Sequence, residues 1–469
     1  MIEVWHKKIR SGFGLQLIVI VGVLIGVVVF GMFASSYMLF AVGAAIGGII
    51  LLRQPLVGLI FLILVALLVP IEIDTGTEVS LNLTVFLIPV VLIAWILSKL
   101  TAPHFRIVGS KTFLPLTLFL VMGLLSLMIG NILWDPLVPK SSNFILVQLA
   151  QWAIFALSGL IFFLTANMVG NEKKLRYLVL GFLAIAGLLA IVSMFVGAFT
   201  LVKSVTTVAL IRTPFWILLS GIAGGQLLFN PRLNRPWRMV ALSSLLAVFV
   251  YAFFQQQEAV SNWVGVTTVV AVLSWLRWPR LRIPALIFTM LLILTGVLTQ
   301  TLWNFGGGDS EWITSGGSRI ALFTRVIDVT SSNPVTGLGP ASYRSYAAMV
   351  PLKYGKAYWV DPSINSHNNY IDIFSQTGLI GLGLFLWFMG SVLLLALRLA
   401  RRYKSGFVAG YATGMLAAWF AIMVVMLLLD WFLPFVYNVG FPGFQASVLV
   451  WLFFGGLVAI ESWPKDNDE

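Results

Sequence analysis

Residues 363–383, SINSHNNYIDIFSQTGLIGLG, pass from a polar cluster directly into an apolar run. The apolar run starts near Tyr370 and has the composition of a membrane helix. The polar cluster has a titratable ring, His367, at its centre, although the chain has only three histidines. This junction predicts both a membrane fold and a polar site at the mouth of one of its helices.

The composition places the chain among polytopic membrane proteins. It is 59% hydrophobic and 10% charged over 469 residues, whereas soluble domains have about 25% charged residues. The absence of cysteine excludes disulfides, thiolate metal sites and cysteine nucleophiles. A net charge of +12 would suggest a nucleic-acid partner in a soluble protein, but here membrane topology has to be considered first.

Apolar runs long enough to span a bilayer predict an all-α protein with about 14 (roughly 12–14) transmembrane helices. The predicted spans start near Leu15, Tyr37, Leu56, Leu83, Phe113, Ile145, Leu175, Arg212, Met239, Val260, Ile283, Tyr370, Phe407 and Gly443. The first run, from Leu15 to Ala34, is too long for a signal peptide and has no clear cleavage site. We therefore expect a first transmembrane helix there and no cleavable signal peptide.

The charge distribution predicts that both termini are cytoplasmic. With that orientation most of the 29 lysines and arginines lie on the inner side, in agreement with the positive-inside rule. The basic residues left on the outer side are Lys140, Lys203, Arg212, Arg319, Arg325, Arg344, Lys353 and Lys356. The net positive charge is thus explained by topology, and we expect membrane lipids and no nucleic acid as partners.

The connections are short except for one long outer loop. The sequence predicts spans over 1–300 (about 11), a loop over 301–369, and about three more spans with a short cytoplasmic tail over 370–469. Loops of this length are uncommon unless they are functional. Within the loop Ile320, Phe323, Val326 and Ile327 recur at helical spacing after Arg319, which predicts an amphipathic helix at the membrane surface.

Aromatic residues follow this helix. They are Tyr343, Tyr346, Tyr354, Tyr358 and Trp359. Aromatic rings stack on sugar rings, but they also populate membrane interfaces without any other role. Tyr343, Tyr358 and Trp359 are candidates for sugar stacking, and the interfacial interpretation remains open.

His367 is the strongest candidate for a catalytic residue. It is the only histidine on the outer side, since His6 and His104 fall on the cytoplasmic side. A neutral imidazole can take a proton from a hydroxyl near neutral pH, although a histidine that only hydrogen-bonds loop carbonyls is the simpler interpretation. Asp372 is the better of the nearby carboxylates to orient the ring. No metal site is expected, because motifs such as H-E-x-x-H are absent.

Two segments of the loop resemble a known family. They are GGSRIALFTRVIDVTSSNPVTGLGPASY (316–343) and SHNNYIDIFSQTGLIGLGLF (366–385). The second contains the spacing H-N-x9-G-x-x-G, formed by His367, Asn368, Gly378 and Gly381. These segments resemble the O-antigen ligase and polymerase superfamily (the WaaL/Wzy superfamily), with the ligase-type His-Asn motif.

The resemblance implies a GT-C-type glycosyltransferase in the inner membrane of a bacterium. It would move a glycan from a polyprenyl-diphosphate carrier to a hydroxyl of a glycolipid or glycan acceptor on the outer, periplasmic face. The reaction would be inverting and would need no metal or other cofactor. The family's essential histidine corresponds to His367, and its diphosphate-binding arginines correspond by position to Arg212 and Arg319. Asn368 could support the histidine. Lys203, Arg325 and Arg344 could widen the anion site, or each could simply be solvated.

One stretch departs from the family pattern. Many members have a Ser-Arg-Gly-Ala-Trp-like sequence near an outer helix end, where this chain has QQQEAVSNWVG (255–265). Trp263 is retained, but Ala259 and Val260 replace Ser-Arg, so one anion contact is in doubt. Glu258, just before them, could orient His367, bind a sugar hydroxyl or simply be solvated.

Several functions remain open at this point. A ligase, a polysaccharide polymerase and a protein O-glycosyltransferase differ in the acceptor, and the motif spacing slightly favours a ligase. A flippase for lipid-linked glycans or a secondary transporter is the alternative from another class. The spans have almost no charge near mid-membrane, which favours an enzyme with its chemistry at one face.

Overall fold

The structure is a computed structural model. It describes residues 47–48, 50–100, 107–195, 200, 202, 206–257, 259–305, 308, 317–349, 360–361 and 364–463. The predicted spans near Leu15 and Tyr37 lie outside the described residues. So do the candidate site residues Lys203, Glu258, Tyr358 and Trp359.

The described chain is almost entirely helical. Its helices are α1 Pro55–Leu68, α2 Leu83–Leu100, α3 Phe113–Ile132, α4 Phe144–Met168, α5 Glu172–Ser193, α6 Thr213–Phe229, α7 Arg235–Val250, α8 Val260–Arg277, α9 Arg282–Leu294, α10 Val297–Phe305, α11 Gly317–Thr330, α12 Tyr343–Ala347, α13 Asn369–Arg402, α14 Phe407–Val425 and α15 Gly440–Ser462. Short 3-10 turns cover Val208–Ile211 and Pro279–Leu281, and a π-helical turn, Tyr251–Gln255, extends α7. Strands β1 Glu72–Asp74 and β2 Ser80–Asn82 form an antiparallel hairpin in which Ile73 pairs with Leu81.

The fold is that of a polytopic membrane protein, as predicted. Among the described residues, 8 helices are long and apolar enough to cross a membrane, or 9 if the pair around the 77° bend between α9 and α10 forms one span. Helices α1 and α6 are apolar but shorter. Each predicted span start from Leu56 to Gly443 lies within four residues of a helix start, but the helices that begin near Leu56, Arg212 and Val260 are not among these eight.

The last helix, α15, forms the centre of the bundle. The 18 residues of α15 that could cross the membrane are all buried inside the protein, and 83% of the corresponding residues of α14 are buried. Trp451 of α15 stacks on Phe388 of α13, with ring centroids 5.3 Å apart, and on Phe432 at 4.8 Å. Phe432 belongs to residues 426–439, which connect α14 to α15 and are called the α14–α15 loop below. The stack therefore fixes this loop to the core.

Helices α6 and α14 pack with their backbones in close contact. Each has two glycines four residues apart, Gly221 and Gly225 on α6 and Gly410 and Gly414 on α14. A Cβ atom on Gly225 would lie 2.2 Å from the carbonyl oxygen of Gly410, and one on Gly414 would lie 2.3 Å from that of Gly221. Small residues at this spacing allow membrane helices to approach closely. At one end of the pair, α14 leads into the α14–α15 loop. At the other end, α14 begins at Phe407.

The long outer loop contains the predicted amphipathic helix, α11, but with a different buried face. Val326 is buried as expected, together with Leu322 and Val329, whereas Ile320 and Ile327 are exposed. The helix therefore packs one apolar stripe against the protein, and two of the four apolar residues used to predict it lie on the other side. The spacing indicated a helix but could not decide which of two adjacent apolar stripes faces the core.

We predict that Gly225→Ala lowers the apparent melting temperature of the detergent-solubilised protein. The added methyl group would meet backbone atoms of α14, which cannot rotate away, and overpacking of this kind costs about 1–3 kcal/mol. Gly181→Ala in α5 is the matched control, because nothing lies within 4 Å of the added atom there. An equal melting temperature for the two variants would contradict the packing argument.

Candidate active site

Residues 364–372 and the α14–α15 loop are joined by two adjacent asparagines. The buried amide of Asn369 accepts hydrogen bonds from the N–H groups of Phe432 (3.0 Å) and Leu433 (3.2 Å), and donates to the Leu433 carbonyl (2.8 Å). Asn368 caps α13 by accepting from the N–H groups of Tyr370 and Ile371. It also donates to the Leu427 carbonyl at 3.0 Å. The asparagine of the His-Asn motif thus starts the helix and holds the neighbouring loop.

His367 has a left-handed backbone, with φ of +50°. This conformation is uncommon for a residue other than glycine and costs of order 1–3 kcal/mol, which the surrounding contacts have to offset. Ser366 supplies one of them, since its hydroxyl accepts from the Asn368 N–H (3.1 Å) and donates to Asp372 Oδ1 (2.6 Å). Strained residues cluster at functional sites, and this one carries the candidate base.

A buried carboxylate, Asp430, faces the His367 ring. The distance from His367 Nδ1 to Asp430 Oδ1 is 3.8 Å, and the Asp430 side chain is fully buried. Asn438 Nδ2 lies 3.0 Å from both Asp430 oxygens and 3.2 Å from His367 Nδ1. The His367 side chain is 30% exposed, and in the described part of the chain its Nε2 atom forms no hydrogen bond.

The surroundings of Asp430 keep it ionised. Burial on its own raises the pKa of Asp430, but hydrogen bonding and charge from His367, with the amides of Asn438 and Asn365, outweigh burial and lower the pKa below its ordinary value. The Asn365 amide donates to Asp430 Oδ2 and to Asp372 Oδ2, both at 3.0 Å. One amide group therefore bridges two buried carboxylates.

The prediction that Asp372 orients His367 is wrong in its geometry. Asp372 is buried and bonded to Ser366 and Asn365, and among the described residues no hydrogen bond or ion pair joins it to the ring. It lies in the first turn of α13, whereas Asp430 faces the ring from the α14–α15 loop. The side chain of Asp372 therefore supports the site through the two residues that precede His367.

Arg212 lies at the same loop. It is the N-cap residue of α6, and its guanidinium carbon is 5.3 Å from the centroid of the Trp431 ring. Burial lowers the pKa of Arg212, while the nearby Asp430 and Tyr251 raise it. Among the described residues, the buried Nε atom has no hydrogen-bond partner. An arginine cation with an unused donor thus stands next to the residue that faces His367.

The other cations of the outer loop are placed differently. Arg319 lies in the first turn of α11, and among the described residues no hydrogen bond or ion pair links it to His367 or Asp430. Arg344 pairs with Glu78 next to the β-hairpin, and its guanidinium lies 4.8 Å from the Tyr437 ring centroid. The suggestion that Arg344 widens an anion site is therefore not supported, since its charge is already paired.

Arg325 is a structural residue and not a solvated or anion-binding one. It is 1% exposed, and its guanidinium donates to the Tyr343 hydroxyl (2.7 Å) and to the carbonyls of Val360 (2.7 Å), Asp361 (2.7 Å) and Ile364 (2.9 Å). These bonds fix the segment that leads to His367.

Tyr343 is buried in the same cluster, with 2% of its surface exposed. Burial raises the pKa of its hydroxyl to about 12, against the opposing charge and hydrogen bond of Arg325. Its ring packs beside Val326 and Val329. No ring face is left for a sugar, so the expectation of sugar stacking at Tyr343 is wrong.

Gly378, the tenth residue after the His-Asn pair, is required by the backbone conformation at that position. Gly378 interrupts α13 with φ of +68° and ψ of −171°, and a Cβ atom there would lie 2.1 Å from the Val335 carbonyl oxygen. The opened backbone bonds to the preceding loop: Leu338 N–H donates to the Ser375 carbonyl (2.8 Å) and Leu379 N–H donates to the Pro334 carbonyl (2.9 Å). The motif spacing thus describes a short helix that carries the site and ends where the loop crosses it.

Sequence reasoning missed Asp430, Trp431, Asn438 and Asn365. The first three lie in LLLDWFLPFVYNVG (427–440), where an acidic residue and two polar or aromatic residues interrupt an apolar region on the outer side. Polar residues in an otherwise apolar outer segment are the signal in the sequence that indicates these site residues. The described residues contain no group of three or more histidine, aspartate or glutamate side chains that could hold a metal ion.

Fold and site together define a polytopic membrane protein in which a histidine, a buried aspartate and an arginine meet at one end of the helical bundle. Residues 259–386 match the family model described as O-antigen ligase, which confirms the resemblance seen in the sequence. The matched residues run from the start of α8 into α13. No curated protein matches the chain. Arg212 and Asp430 lie outside the matched residues.

We predict that Gly378→Ala lowers the apparent melting temperature by several degrees and reduces any activity of the site. The alanine would have to adopt a left-handed backbone and would also collide with the Val335 carbonyl, and both effects are destabilising. Gly383→Ala, five residues further along the same helix, meets nothing within 4 Å and serves as the control. A Gly378→Ala protein as stable as this control would show that the break in α13 is not required.

Proposed function

We propose that the protein is a glycosyltransferase of the O-antigen ligase type. It transfers a glycan from a polyprenyl-diphosphate carrier to an acceptor hydroxyl at the outer face of the cytoplasmic membrane of a bacterium. The observation that carries the proposal is that one loop brings Asp430 to His367 and Trp431 to Arg212. A candidate base and a candidate diphosphate-binding cation are thereby placed side by side. The family match supports the same kind of enzyme.

The reaction requires one bond to form and one to break. The acceptor oxygen attacks the anomeric carbon from the side opposite the diphosphate, so the configuration at that carbon inverts. The bond from the anomeric carbon to the diphosphate oxygen breaks, and the polyprenyl diphosphate leaves with its electron pair. The proton of the acceptor hydroxyl passes to His367. The donor is already activated, so the protein has to position the hydroxyl and stabilise the leaving anion.

His367 is suited to accept that proton through Nε2. Its Nδ1 atom faces Asp430 and Asn438, whereas Nε2 is the ring nitrogen left for a substrate. The Asn438 amide can direct both of its N–H groups at the Asp430 oxygens, 3.0 Å away, so that Nδ1 is able to carry the ring proton and the lone pair lies on Nε2. The imidazolium formed after proton transfer is stabilised by the buried Asp430 anion. Asp430 is thus a positioning residue, and His367 is the catalytic base.

Arg212 is suited to hold the diphosphate. A guanidinium binds phosphate oxygens through two parallel hydrogen bonds and keeps its charge when partly buried. The guanidinium lies over the Trp431 ring, which holds its plane in place, and the nearby Asp430 and Tyr251 favour its charged form. Arg319 remains a second candidate, on the strength of the family resemblance alone.

The proposed enzyme is metal-independent and of the GT-C type, with its site at the outer membrane face. The outward direction rests on the positive-inside charge distribution. It is also consistent with the position of the site, since His367 precedes α13 and Asp430 follows α14 at the same end of both helices.

We predict that His367→Asn reduces glycan transfer by about 100- to 10,000-fold, the usual contribution of a general base. Asparagine tolerates the left-handed backbone, so this variant removes the base without disturbing the peptide. The assay is reconstitution with a polyprenyl-diphosphate glycan and detection of the new glycosidic bond. Asp430→Asn should lower the turnover number with little change in KM, as expected for a residue that acts through His367.

The same reconstitution discriminates between the alternatives. Glycolipid, lipid-linked repeat and protein acceptors supplied in parallel distinguish ligase, polymerase and protein glycosyltransferase. Wild-type protein that moves glycan across the membrane without forming a glycosidic bond would show a transporter instead. Near-normal transfer by His367→Asn would exclude His367 as the base.

We predict that Arg212→Lys lowers kcat/KM for the lipid-linked donor by about ten- to a hundredfold, the range expected when hydrogen bonds to a charged group are lost. Lysine keeps the charge but cannot form the two parallel bonds. Lys140→Met is the control, because Lys140 is another cation of the outer loops that lies over a tryptophan, Trp134, at 4.9 Å. Equal donor kinetics for both variants would remove Arg212 from the proposed diphosphate site.

A further inference from the structure

A cavity of about 520 Å³ lies at the end of the bundle opposite His367. Helix α6 runs from the Arg212 end to the cavity over 17 residues, or about 25 Å at 1.5 Å per residue. Helix α14 starts at the cavity and ends before Asp430. The lining of the cavity includes Glu172, Arg176, Leu180, Arg232, Ser405 and Phe407.

Two arginines line the cavity. Arg232 is exposed and forms no ion pair with any residue that the structure describes. Arg176 pairs with Glu172 at 2.5 Å, and its guanidinium lies 5.1 Å from the centroid of the Phe407 ring. The segments that line the cavity are the starts of α5 and α7 and the connection from α13 to α14. They carry further cations, which are Lys173, Lys174, Arg235, Arg402 and Lys404. Glu172 is the only acidic residue among the lining side chains, so the cavity favours an anion.

Three helices begin at this cavity: α5, α7 and α14. Asn171 and Asn234 cap the first two, accepting from the N–H groups of Lys174 (3.0 Å) and Trp237 (3.3 Å). No side chain caps α14, which starts after Gly406. The three helix dipoles add positive potential, and the first turn of α14 offers N–H donors to an external acceptor.

The lining contains both polar and apolar side chains. Arg232, Asn234 and Ser405 belong to the segments that connect the helices, whereas Leu180 lies about two turns into α5. The cavity therefore extends from the connecting segments along an apolar part of α5. The positive-inside rule explains why cations are present at this end of the protein. It does not explain why they lie around a cavity that also has apolar side chains in its lining.

We propose that the cavity binds the phosphate group of an anionic lipid headgroup from the cytoplasmic leaflet. The phosphate would contact Arg232 and the first turn of α14, and the lipid chains would follow Leu180. A soluble phosphate ester has the same polar chemistry but gains nothing from the apolar part of the lining. Basic cavities between membrane helices on the cytoplasmic side are suited to phospholipid headgroups. This proposal is independent of the transferase activity.

The test is thermal stabilisation of the full-length protein in nanodiscs or detergent by added phosphatidylglycerol. Phosphatidylcholine is the neutral comparison, and inorganic phosphate and glycerol phosphate are the soluble comparisons. We expect phosphatidylglycerol to raise the melting temperature saturably. The double variant Arg176→Gln/Arg232→Gln should need about 25-fold more of it, or about fivefold per lost cation near a lipid phosphate. Arg280→Gln removes an exposed arginine of the same face outside the cavity and should behave as the wild type.

Each outcome is informative. A shift with phosphatidylglycerol that weakens in the double variant but not in Arg280→Gln supports the lipid site. An equal shift with glycerol phosphate, lost in the same double variant, would overturn the lipid assignment and leave a site for soluble phosphate esters. Identical titrations for the wild type and the double variant, or no shift at all, would overturn the site. Because the readout is stability, failure here would leave the transferase proposal untouched.

Discussion

The arrangement of the outer end of the molecule depends on one buried charge, the carboxylate of Asp430. An ionised carboxylate out of contact with water is stable only if several groups bond to it. Asn365, Asn438 and His367 meet this requirement, and they come from the two segments that the site has to join. Satisfying Asp430 therefore brings the end of the long loop against the α14–α15 loop, and the orientation of His367 follows from this contact.

Helix packing makes that contact reproducible. Trp451 stacks with Phe388 and Phe432 in the centre of the bundle, so the α14–α15 loop has little freedom to move away from α13. The close approach of α6 to α14 fixes Arg212 relative to Trp431. The same two helices reach the cavity at the other end, where Phe407 begins α14. A rigid helix pair thus connects a polar site at one end with a basic cavity at the other.

Much of the membrane fold could be predicted from the sequence, but the partners at the site could not. The helix starts between Leu56 and Gly443, the amphipathic helix in the long loop and the family resemblance are all confirmed by the structure or by the family match. The expectations for Tyr343 and Arg325 were wrong for a common reason. Each residue was interpreted as accessible to a ligand or to solvent because it lies in the long outer loop, whereas that loop folds back and buries both. The expectation for Asp372 was wrong because the partner of His367 comes from a distant loop.

The sequence by itself determined where most of the described helices begin, that the protein is a polytopic membrane protein, and that a histidine, an asparagine and two glycines occur at a family-specific spacing. Those properties are local, because hydrophobicity, helix capping and a left-handed glycine depend on neighbours along the chain. Only the tertiary structure decided that the partner of His367 is Asp430, 63 residues further on, and that Arg212 joins it from an earlier helix. The groups that bond to a buried ion are those that the tertiary fold brings close to it. Their separation along the chain therefore does not predict which groups they are.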